Sequence, residues 1–329
     1  MGTIYRAGQK IDHYQIIDLL GIGGASRAYL ARDLATECQV VLKFPIDDIA
    51  GTAAIYERYR REIEIGKRLT HPRLQRHLNL EEERQEDYIV LEYVQGRTLR
   101  EIMKEAAPSR LPVDETLRIT IQLCDAVAYM HEHGVIHRDI KPENILVLAD
   151  GEIKLIDFGI ALVVDEQRTL WSRMVTSSLV GTPEYMAPER LEGKPGSAWS
   201  DVYAIGAVLY ELLCGRPPFE GGDGFAAINP QISDDPPDIL RFNPDLLPEL
   251  ATVVMRTVRR DPDRRYASVG TLAQDLRHLD KVMSVPYFPM PPKLWGKYRQ
   301  VVRIALIVLV ICVILIVFGA LAQMIHSVR

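Results

Sequence analysis

The stretch 137–159, HRDIKPENILVLADGEIKLIDFG, determines how the rest of the sequence is interpreted. At its centre the dipeptide Asp150-Gly151 lies between two apolar, β-rich runs and is typical of a two-residue type I′ hairpin turn. A two-residue turn here places Asn144 opposite Asp157 at the open end of the hairpin. Asp139 lies five residues before Asn144, so the stretch combines two carboxylates with an amide oxygen. Hard oxygen ligands of this kind suit Mg²⁺.

The composition is that of an ordinary globular protein. The 329 residues are 47% hydrophobic and 25% charged, enough for one large or two modest domains. A formal net charge of −5 gives no electrostatic reason to expect a nucleic-acid partner. The four cysteines lack metal-ligand spacing and favour a reducing compartment over a disulfide framework. The polar N-terminus has no apolar stretch that would make it a secretory signal.

The string HRDxKxxN followed by DFG resembles the catalytic core of the eukaryotic-type protein kinases. A surface hairpin with polar ends explains any one of these residues, but not the assembled string. The sequences LGIGGASRAYLARD and HRDIKPENIL are similar to those of bacterial Hanks-type kinases. The resemblance implies an α+β, two-lobed fold over 14–282. A small antiparallel β lobe with one main helix is expected at 14–95 and a mostly helical lobe at 96–282, after an N-terminal extension at 1–13.

The resemblance also implies roles within the catalytic string. Asp139 is expected to accept or orient the proton of the substrate hydroxyl. Lys141 is expected to neutralise the transferring phosphoryl group. Asn144 and Asp157 are expected to hold Mg²⁺, with Mn²⁺ as an alternative.

The phosphates of ATP are expected to contact Lys43, in the strand sequence VVLK. In the family this lysine is held by a helical Glu, and the run YERYRREIEIGKRLTH offers both Glu62 and Glu64 on different helix faces. Glu62 is preferred because it follows two arginines, as in the family.

The nucleotide is expected to bind under the glycine-rich loop 21–26, where backbone N–H groups can approach phosphate oxygens. The family pattern GxGxxGxV is changed here at Ser26 and Ala28, and Val41 replaces the Ala of the family's VAIK. The family's Val is thus Ala28 here and its Ala is Val41. We hypothesise that the two changes together conserve the apolar volume over the adenine base. With Leu91 as gatekeeper and Glu92 and Val94 in the hinge, the predicted nucleotide-binding residues are Gly21, Ile22, Gly23, Gly24, Ala25, Ser26, Ala28, Val41, Lys43, Leu91, Glu92, Val94 and Leu146.

The long, hydroxyl-rich segment 157–189 is expected to be the activation segment. Arg138, directly before the catalytic Asp, marks the kinases in which a phosphorylated residue of this segment pairs with that Arg. Thr176, Ser177 and Ser178 are the candidate phosphorylation sites, with Thr176 preferred. Ordinary solvated hydroxyls are the alternative for each.

Lys141 and the sequence GTPEYMAPE indicate a serine/threonine kinase rather than a tyrosine kinase, with Thr182 bracing the catalytic residues. The resemblance also implies structural roles in the large lobe. Asp201 is expected to fasten the catalytic loop from below. Arg265 is expected to form a buried ion pair with Glu189.

Two long helices are predicted in the large lobe. Asp114 is the expected N-cap of a helix that ends near His133, with Gly134 as its stop. Ser200 is the expected N-cap of a buried helix in SDVYAIGAVLYELLCGRPPF. His131 and His133 are assigned no function.

The C-terminal region differs in composition from the rest. Residues 283–302 are rich in proline, aromatic and basic residues and predict a semi-rigid linker. The span 303–323 is almost wholly apolar, and its uncharged core of nineteen residues would extend roughly 28 Å as a helix, close to the thickness of a bilayer core. A transmembrane helix is therefore predicted over a buried core helix. Basic residues precede the span, which keeps the kinase domain in the cytoplasm and the tail 324–329 outside the cell membrane.

The sequence thus predicts a single-pass, membrane-anchored serine/threonine kinase that uses ATP and Mg²⁺. Its expected partners are protein substrates, the membrane and a second kinase domain for trans-autophosphorylation, and no nucleic acid. The main alternative is a pseudokinase acting as a nucleotide-binding scaffold. Loss of Lys43, Asp139 or Asp157 would be its sign, and all three are present. A small-molecule kinase conflicts with the APE-type segment.

Overall fold

The computed structural model describes residues 4–23, 26–46, 52–82, 84, 86–106, 110–158, 161–163, 183–219 and 228–287. Several predicted features lie outside these ranges: Gly24, Ala25, the hydroxyl residues Thr176, Ser177, Ser178 and Thr182, most of the linker and the predicted span 303–323. Within the described ranges, no helix combines the length and apolarity that crossing a membrane requires.

The small lobe is a six-stranded antiparallel sheet with one long helix. Its spatial order is β1-β2-β3-β4-β6-β5. The elements are β1 (Lys10–Ile11), β2 (Tyr14–Ile22), β3 (Ser26–Asp33), β4 (Gln39–Pro45), α1 (Thr52–Arg68), β5 (His77–Leu78) and β6 (Ile89–Glu92). Tyr5 and Ile11, from the predicted N-terminal extension, are buried in this lobe.

Strand β4 has residues on both faces of this sheet. Leu42 and Phe44 join a buried outer cluster rich in tyrosine, whereas Val41 joins a second cluster with Leu91. Lys43 lies two residues after Val41 and therefore on the same face. The outer cluster stabilises the sheet, and the inner face presents a lysine next to an apolar surface.

The large lobe is mostly helical, as predicted, and has two small sheets in the orders β10-β9-β7 and β11-β8. Helix α5 (Ala198–Cys214) is buried from position 200 to position 213 and forms the centre of the lobe, which explains its almost wholly apolar sequence. The elements are β7 (Arg97–Thr98), α2 (Leu99–Glu105), α3 (Val113–Glu132), β8 (Val135–Ile136), β9 (Ile145–Val147), β10 (Ile153–Leu155), β11 (Leu162–Val163), α4 (Pro188–Leu191), α5 (Ala198–Cys214), α6 (Ile228–Ser233), α7 (Pro248–Thr257) and α8 (Val269–Arg277).

Two helix starts differ from the prediction. The N-cap of α3 is Pro112, so Asp114 lies in the first helical turn, where its charge complements the helix dipole instead of capping. The N-cap of α5 is Ser197, and Ser200 is the third helical residue of a capping box. Gly134 has a φ of 70° just after α3 and ends that helix as predicted.

The hairpin of the catalytic string has a three-residue loop, and the predicted two-residue turn was wrong. The β9–β10 pairing and the main-chain hydrogen bond between positions 148 and 152 leave 149–151 as the loop. Only Gly151 in this loop has a positive φ, of 80°, as in a type I turn followed by a glycine bulge. The register therefore shifts by one residue. Asn144 lies opposite Ile156, whose N–H donates to the Asn144 carbonyl at 2.9 Å, and not opposite Asp157.

Candidate active site

Three side chains from separate parts of the chain meet on the inner face of the small lobe. Lys43 Nζ lies 2.6 Å from Glu62 Oε1 and 2.7 Å from Asp157 Oδ1. Glu62 comes from α1, and Asp157 from the segment after β10. The competing candidate Glu64 pairs instead with Arg68 of the same helix, at 3.3 Å. We call Lys43, Glu62 and Asp157 the phosphate cluster.

Burial and charge act in opposite directions on Lys43. Burial alone would lower the pKa of its ammonium group, but the carboxylates of Asp157 and Glu62 outweigh this effect and raise the pKa. The side chains of Lys43 and Glu62 are 12% and 6% exposed, so solvent screens their interaction little. Lys43 is therefore a fixed cation, suited to binding a polyanion.

A second group, the catalytic-loop cluster, comprises Asp139, Lys141 and Asn144. Lys141 Nζ lies 2.9 Å from Asp139 Oδ2. Asn144 Nδ2 donates to the Asp139 carbonyl at 2.8 Å and to Asp139 Oδ2 at 3.0 Å. These bonds fix the Asp139 carboxylate between a cation and an amide. They also direct the Asn144 amide oxygen away from Asp139.

Asp201 of the buried helix α5 holds the catalytic loop in place. Its carboxylate accepts the main-chain N–H groups of His137 and Arg138, both at 2.9 Å. Burial alone would raise the pKa of Asp201, but the contact with His131 and these N–H donors outweigh it and lower the pKa. The carboxylate therefore stays ionised, and Arg138 is held at a φ of 71°.

His131 is a supporting residue that sequence reasoning missed. Its Nε2 lies 2.8 Å from Asp201 Oδ2. Its position in α3 gives no signal of this role, because the partner is 70 residues away along the chain.

The predicted ion pair between Glu189 and Arg265 is present and is bidentate. Arg265 Nη1 and Nη2 donate to Glu189 Oε1 and Oε2 at 2.9 and 2.8 Å. Ser200 Oγ donates to the same carboxylate at 2.8 Å. Both ionic side chains are almost fully buried. The pair thus fixes the end of the predicted activation segment against α5 and the region after α7.

Three of the predicted adenine-contacting residues, Ala28, Val41 and Leu91, form an apolar cluster beside Lys43. Ala28 is paired with Lys43 across β3 and β4, and Val41 with Leu91 across β4 and β6. Val41 and Leu91 are buried, and Ala28 packs against them. Leu146 lies half-buried in β9. The hypothesis that Ala28 and Val41 together conserve the apolar volume over the base stays a prediction.

The hinge connects the two lobes through Glu92. Its carbonyl accepts a hydrogen bond from Gln75 Nε2 at 3.0 Å. Its carboxylate contacts Arg76 at 2.9 Å and also Lys154 of β10. Glu92 therefore ties the residue before β5 to the hairpin that precedes Asp157, a link that the sequence did not indicate.

The oxygen donors present are compatible with Mg²⁺. Asp157 is 45% exposed, and the oxygen of the fixed Asn144 amide is directed away from Asp139. Among the described residues, no three His, Cys, Asp or Glu side chains are grouped as a metal site. One carboxylate and one amide suit a cation that takes its other ligands from water and phosphates.

Comparisons with known proteins agree with this geometry. Residues 14–284 match the protein kinase domain family. Serine/threonine-protein kinase PknB of Mycolicibacterium smegmatis is 36% identical over 269 residues, which are 80% of this chain and 42% of that protein. A probable PknB of Corynebacterium glutamicum is 37% identical over 278 residues, 82% of this chain and 42% of the relative. PrkC of Bacillus subtilis is 34% identical over 271 residues, 82% of this chain and 41% of the relative. The chain thus spans less than half the length of these relatives.

Proposed function

This chain belongs to the protein kinase family, and we propose that it is an ATP-dependent serine/threonine protein kinase. The observation that carries the proposal is the assembled phosphate cluster, in which Lys43 contacts Glu62 and Asp157 at 2.6 and 2.7 Å. The kinases named above act on serine and threonine by their descriptions, and Lys141 favours the same hydroxyl class here.

The reaction follows from the two clusters. The hydroxyl oxygen of a substrate Ser or Thr attacks the γ-phosphorus of ATP, and the bond from that phosphorus to the bridging oxygen of ADP breaks. Asp139, oriented by Lys141 and Asn144, takes the hydroxyl proton. Lys43 holds the non-transferred phosphates, and Lys141 offsets negative charge on the moving group. Most of the acceleration comes from alignment and electrostatics.

Asp157 and Asn144 are the residues that would hold Mg²⁺, or Mn²⁺ in its place. The ion would neutralise phosphate charge when bound. Asn144 also has a role that does not need the ion, because its Nδ2 donates to Asp139 Oδ2 at 3.0 Å and so orients that carboxylate.

Autophosphorylation of Thr176, Ser177 or Ser178 in trans within a kinase-domain dimer is part of the proposal. The guanidinium group of Arg138 would form an ion pair with the phosphorylated residue. The support is the hydroxyl-rich sequence of segment 157–189. Phosphopeptide mapping of the autophosphorylated chain, beside a Thr176→Ala variant, tests which hydroxyl is used.

We also propose that 303–323 anchors the chain in the cell membrane, with the kinase domain in the cytoplasm. The support is the uncharged apolar run and the basic residues that precede it. The full chain should stay with membranes after alkaline carbonate extraction, whereas a chain with three Lys residues placed within 303–323 should be released. Release of both would contradict the anchor.

Phosphate transfer by the full chain tests the enzymatic proposal. Labelled ATP, Mg²⁺ and a generic basic protein are incubated with wild type, with Asp139→Asn and with Asp245→Asn, which changes an exposed Asp of the large lobe. We expect Asp139→Asn to lower the rate by about 10²–10⁴-fold and Asp245→Asn to leave it unchanged. ATP binding without transfer by wild type would indicate a pseudokinase instead.

A further inference from the structure

A buried arginine of α4 binds the main chain of the catalytic loop. Arg190 directly follows Glu189 and is only 5% exposed. Its Nη1 donates to the main-chain carbonyl of Arg138 at 3.0 Å, across 52 residues of sequence. Because Arg138 directly precedes Asp139, this hydrogen bond links the end of the predicted activation segment to the catalytic residue.

The carbonyl that Arg190 binds belongs to the peptide unit between Arg138 and Asp139. A peptide unit is planar, so the direction of this carbonyl also determines the direction of the Asp139 N–H. That N–H donates to His137 Nδ1 at 3.2 Å. The plane from which the Asp139 side chain departs is thus held at both of its polar groups, and Arg190 holds one of them.

The backbone conformation of Arg138 requires such support. Its φ of 71° lies in the left-handed region, which is unfavourable for any residue with a Cβ. A conformation of this kind persists only where the surrounding structure holds it in place. Asp201 Oδ1 of α5 accepts the Arg138 N–H at 2.9 Å, and Arg190 of α4 binds the Arg138 carbonyl. Two different helices therefore hold the two ends of this residue.

Gly196 allows the two arginine side chains to lie side by side. A Cβ on Gly196 would lie 2.8 Å from Arg138 Cγ and 3.2 Å from Arg190 Cδ. A larger residue would have to displace the aliphatic part of one side chain or the other. The close packing at this glycine keeps the Arg190 guanidinium within reach of the catalytic loop.

The neighbouring carboxylates do not depend on Arg190 for their partners. Glu189 is paired with Arg265, and Asp201 contacts His131 and accepts two main-chain N–H groups. Burial lowers the pKa of the Arg190 guanidinium, and the carboxylates around it only partly oppose this effect. An arginine stays charged nonetheless. The fold thus keeps a cation where its charge is disfavoured, which points to a role other than stability.

We propose that Arg190 is a positioning residue for Asp139. By holding the peptide unit between Arg138 and Asp139, it sets the direction in which the Asp139 side chain leaves the main chain. Lys141 and Asn144 then orient the carboxylate itself. Arg190 acts through the main chain and is not a catalytic residue. This inference rests on the proposed function, in which Asp139 takes the hydroxyl proton.

The first test compares Arg190→Met with Lys194→Gln, which changes an exposed lysine four residues later. Met retains the apolar stem but removes the charge and the N–H donors. In the full chain, we expect Arg190→Met to lower kcat at least about tenfold, because the loss falls on the chemical step. KM for ATP should stay within about threefold of wild type, and the thermal midpoint within about 4 °C. Lys194→Gln should leave all three unchanged. A kcat for Arg190→Met within about twofold of wild type, or a variant that does not fold, would overturn the proposal.

The second test asks whether Arg190 acts through Asp139. Arg190→Met is introduced into the wild type and into an Asp139→Asn chain, and kcat and the thermal midpoint are measured for each. Positioning of Asp139 predicts less than about twofold further loss of kcat in the Asp139→Asn chain, with the same change of midpoint in both backgrounds. An equal fold-loss of kcat in both backgrounds would show a merely structural role and overturn the inference.

Hydrogen exchange separates this inference from the proposed function. If the wild type binds ATP with Mg²⁺ but transfers no phosphate, the proposed function fails, and the exchange of the main-chain amides of 137–141 decides the positioning role. We expect these amides to exchange at least about fivefold faster in Arg190→Met than in wild type or Lys194→Gln. Equal exchange in the three chains would overturn the inference.

Discussion

At the scale of single residues, the balance between burial and charged neighbours determines the protonation state of the buried ionisable groups. The pKa of Lys43 is raised by two carboxylates, and that of Asp201 is lowered by its hydrogen-bond donors, so both groups stay charged. His77 is the opposite case, because burial keeps it neutral. A neutral buried group of this kind makes stability depend on pH.

Acid should destabilise the protein through His77. The pKa of this ring is about 4 in the folded chain and about 6.5 in an unfolded one. Between these pH values the unfolded state binds more protons than the folded state. The contribution of His77 to the free energy of unfolding is therefore complete above about pH 6.5 and is lost as the pH falls to about 4. The loss is of the order of 3 kcal/mol. Unfolding by urea at pH 7 and pH 4.5 should show a smaller acid loss in His77→Phe than in wild type. The exposed His278, changed to Gln, serves as the control, and equal acid losses in all three chains would contradict the assignment.

Residues within a contiguous motif were predictable, and those that act through distant contacts were not. Lys43 and Asp139 could be identified because each residue type stands at a fixed position within a short motif of the sequence. His131 lies in a helix where a histidine has no distinguishing spacing. Its partner is reached only when the chain folds, as the 70-residue separation of His131 from Asp201 shows.

At the scale of elements, the sequence predicted which helices and strands form better than it predicted their ends. The dipeptide of Asp150 and Gly151 suits both a two-residue turn and a three-residue loop with a glycine bulge, and only the strand pairing distinguishes the two. Similarly, Ser197 and Ser200 both suit a helix start. In the structure, Gln122 bonds to the main chain of Gly151 and Ile153, and Ser200 bonds to Glu189, and these partners are not adjacent in sequence.

The buried ion pair that fixes α4 should contribute strongly to stability. Arg265→Ala leaves the Glu189 carboxylate buried without its bidentate partner, which should cost about 3–5 kcal/mol in the free energy of unfolding. The matched control is Arg32→Ala, which removes an exposed pair with Glu37 and should cost less than about 1 kcal/mol. Urea unfolding of the two variants measures both. Similar small losses would mean that Ser200 and the surrounding backbone hold Glu189 without the arginine.

At the scale of the whole molecule, the two-lobed fold follows from the order of motifs, but the extent of the large lobe does not. The sequence places the end of the lobe at 282. In the structure, Val285 N–H donates to Thr252 Oγ1 at 3.1 Å and the Tyr287 hydroxyl donates to the Pro236 carbonyl at 2.8 Å. Proline and aromatic residues suggest an extended linker by composition. Composition cannot show that one of those aromatics packs on the preceding domain.

Tyr287 therefore belongs to the large lobe by its contacts, and its removal should destabilise that lobe. Besides the bond to Pro236, its ring lies 4.3 Å from the guanidinium carbon of Arg259. Losing the hydrogen bond and the cation–π contact in Tyr287→Ala should cost about 1–3 kcal/mol. The thermal midpoint of the detergent-solubilised full chain should fall by roughly 2–4 °C for each kcal/mol. Met283→Ala, at a position 82% exposed in the same segment, should leave the midpoint unchanged. Equal midpoints for both variants would mean that 283–287 adds nothing to the stability of the large lobe and is only a linker.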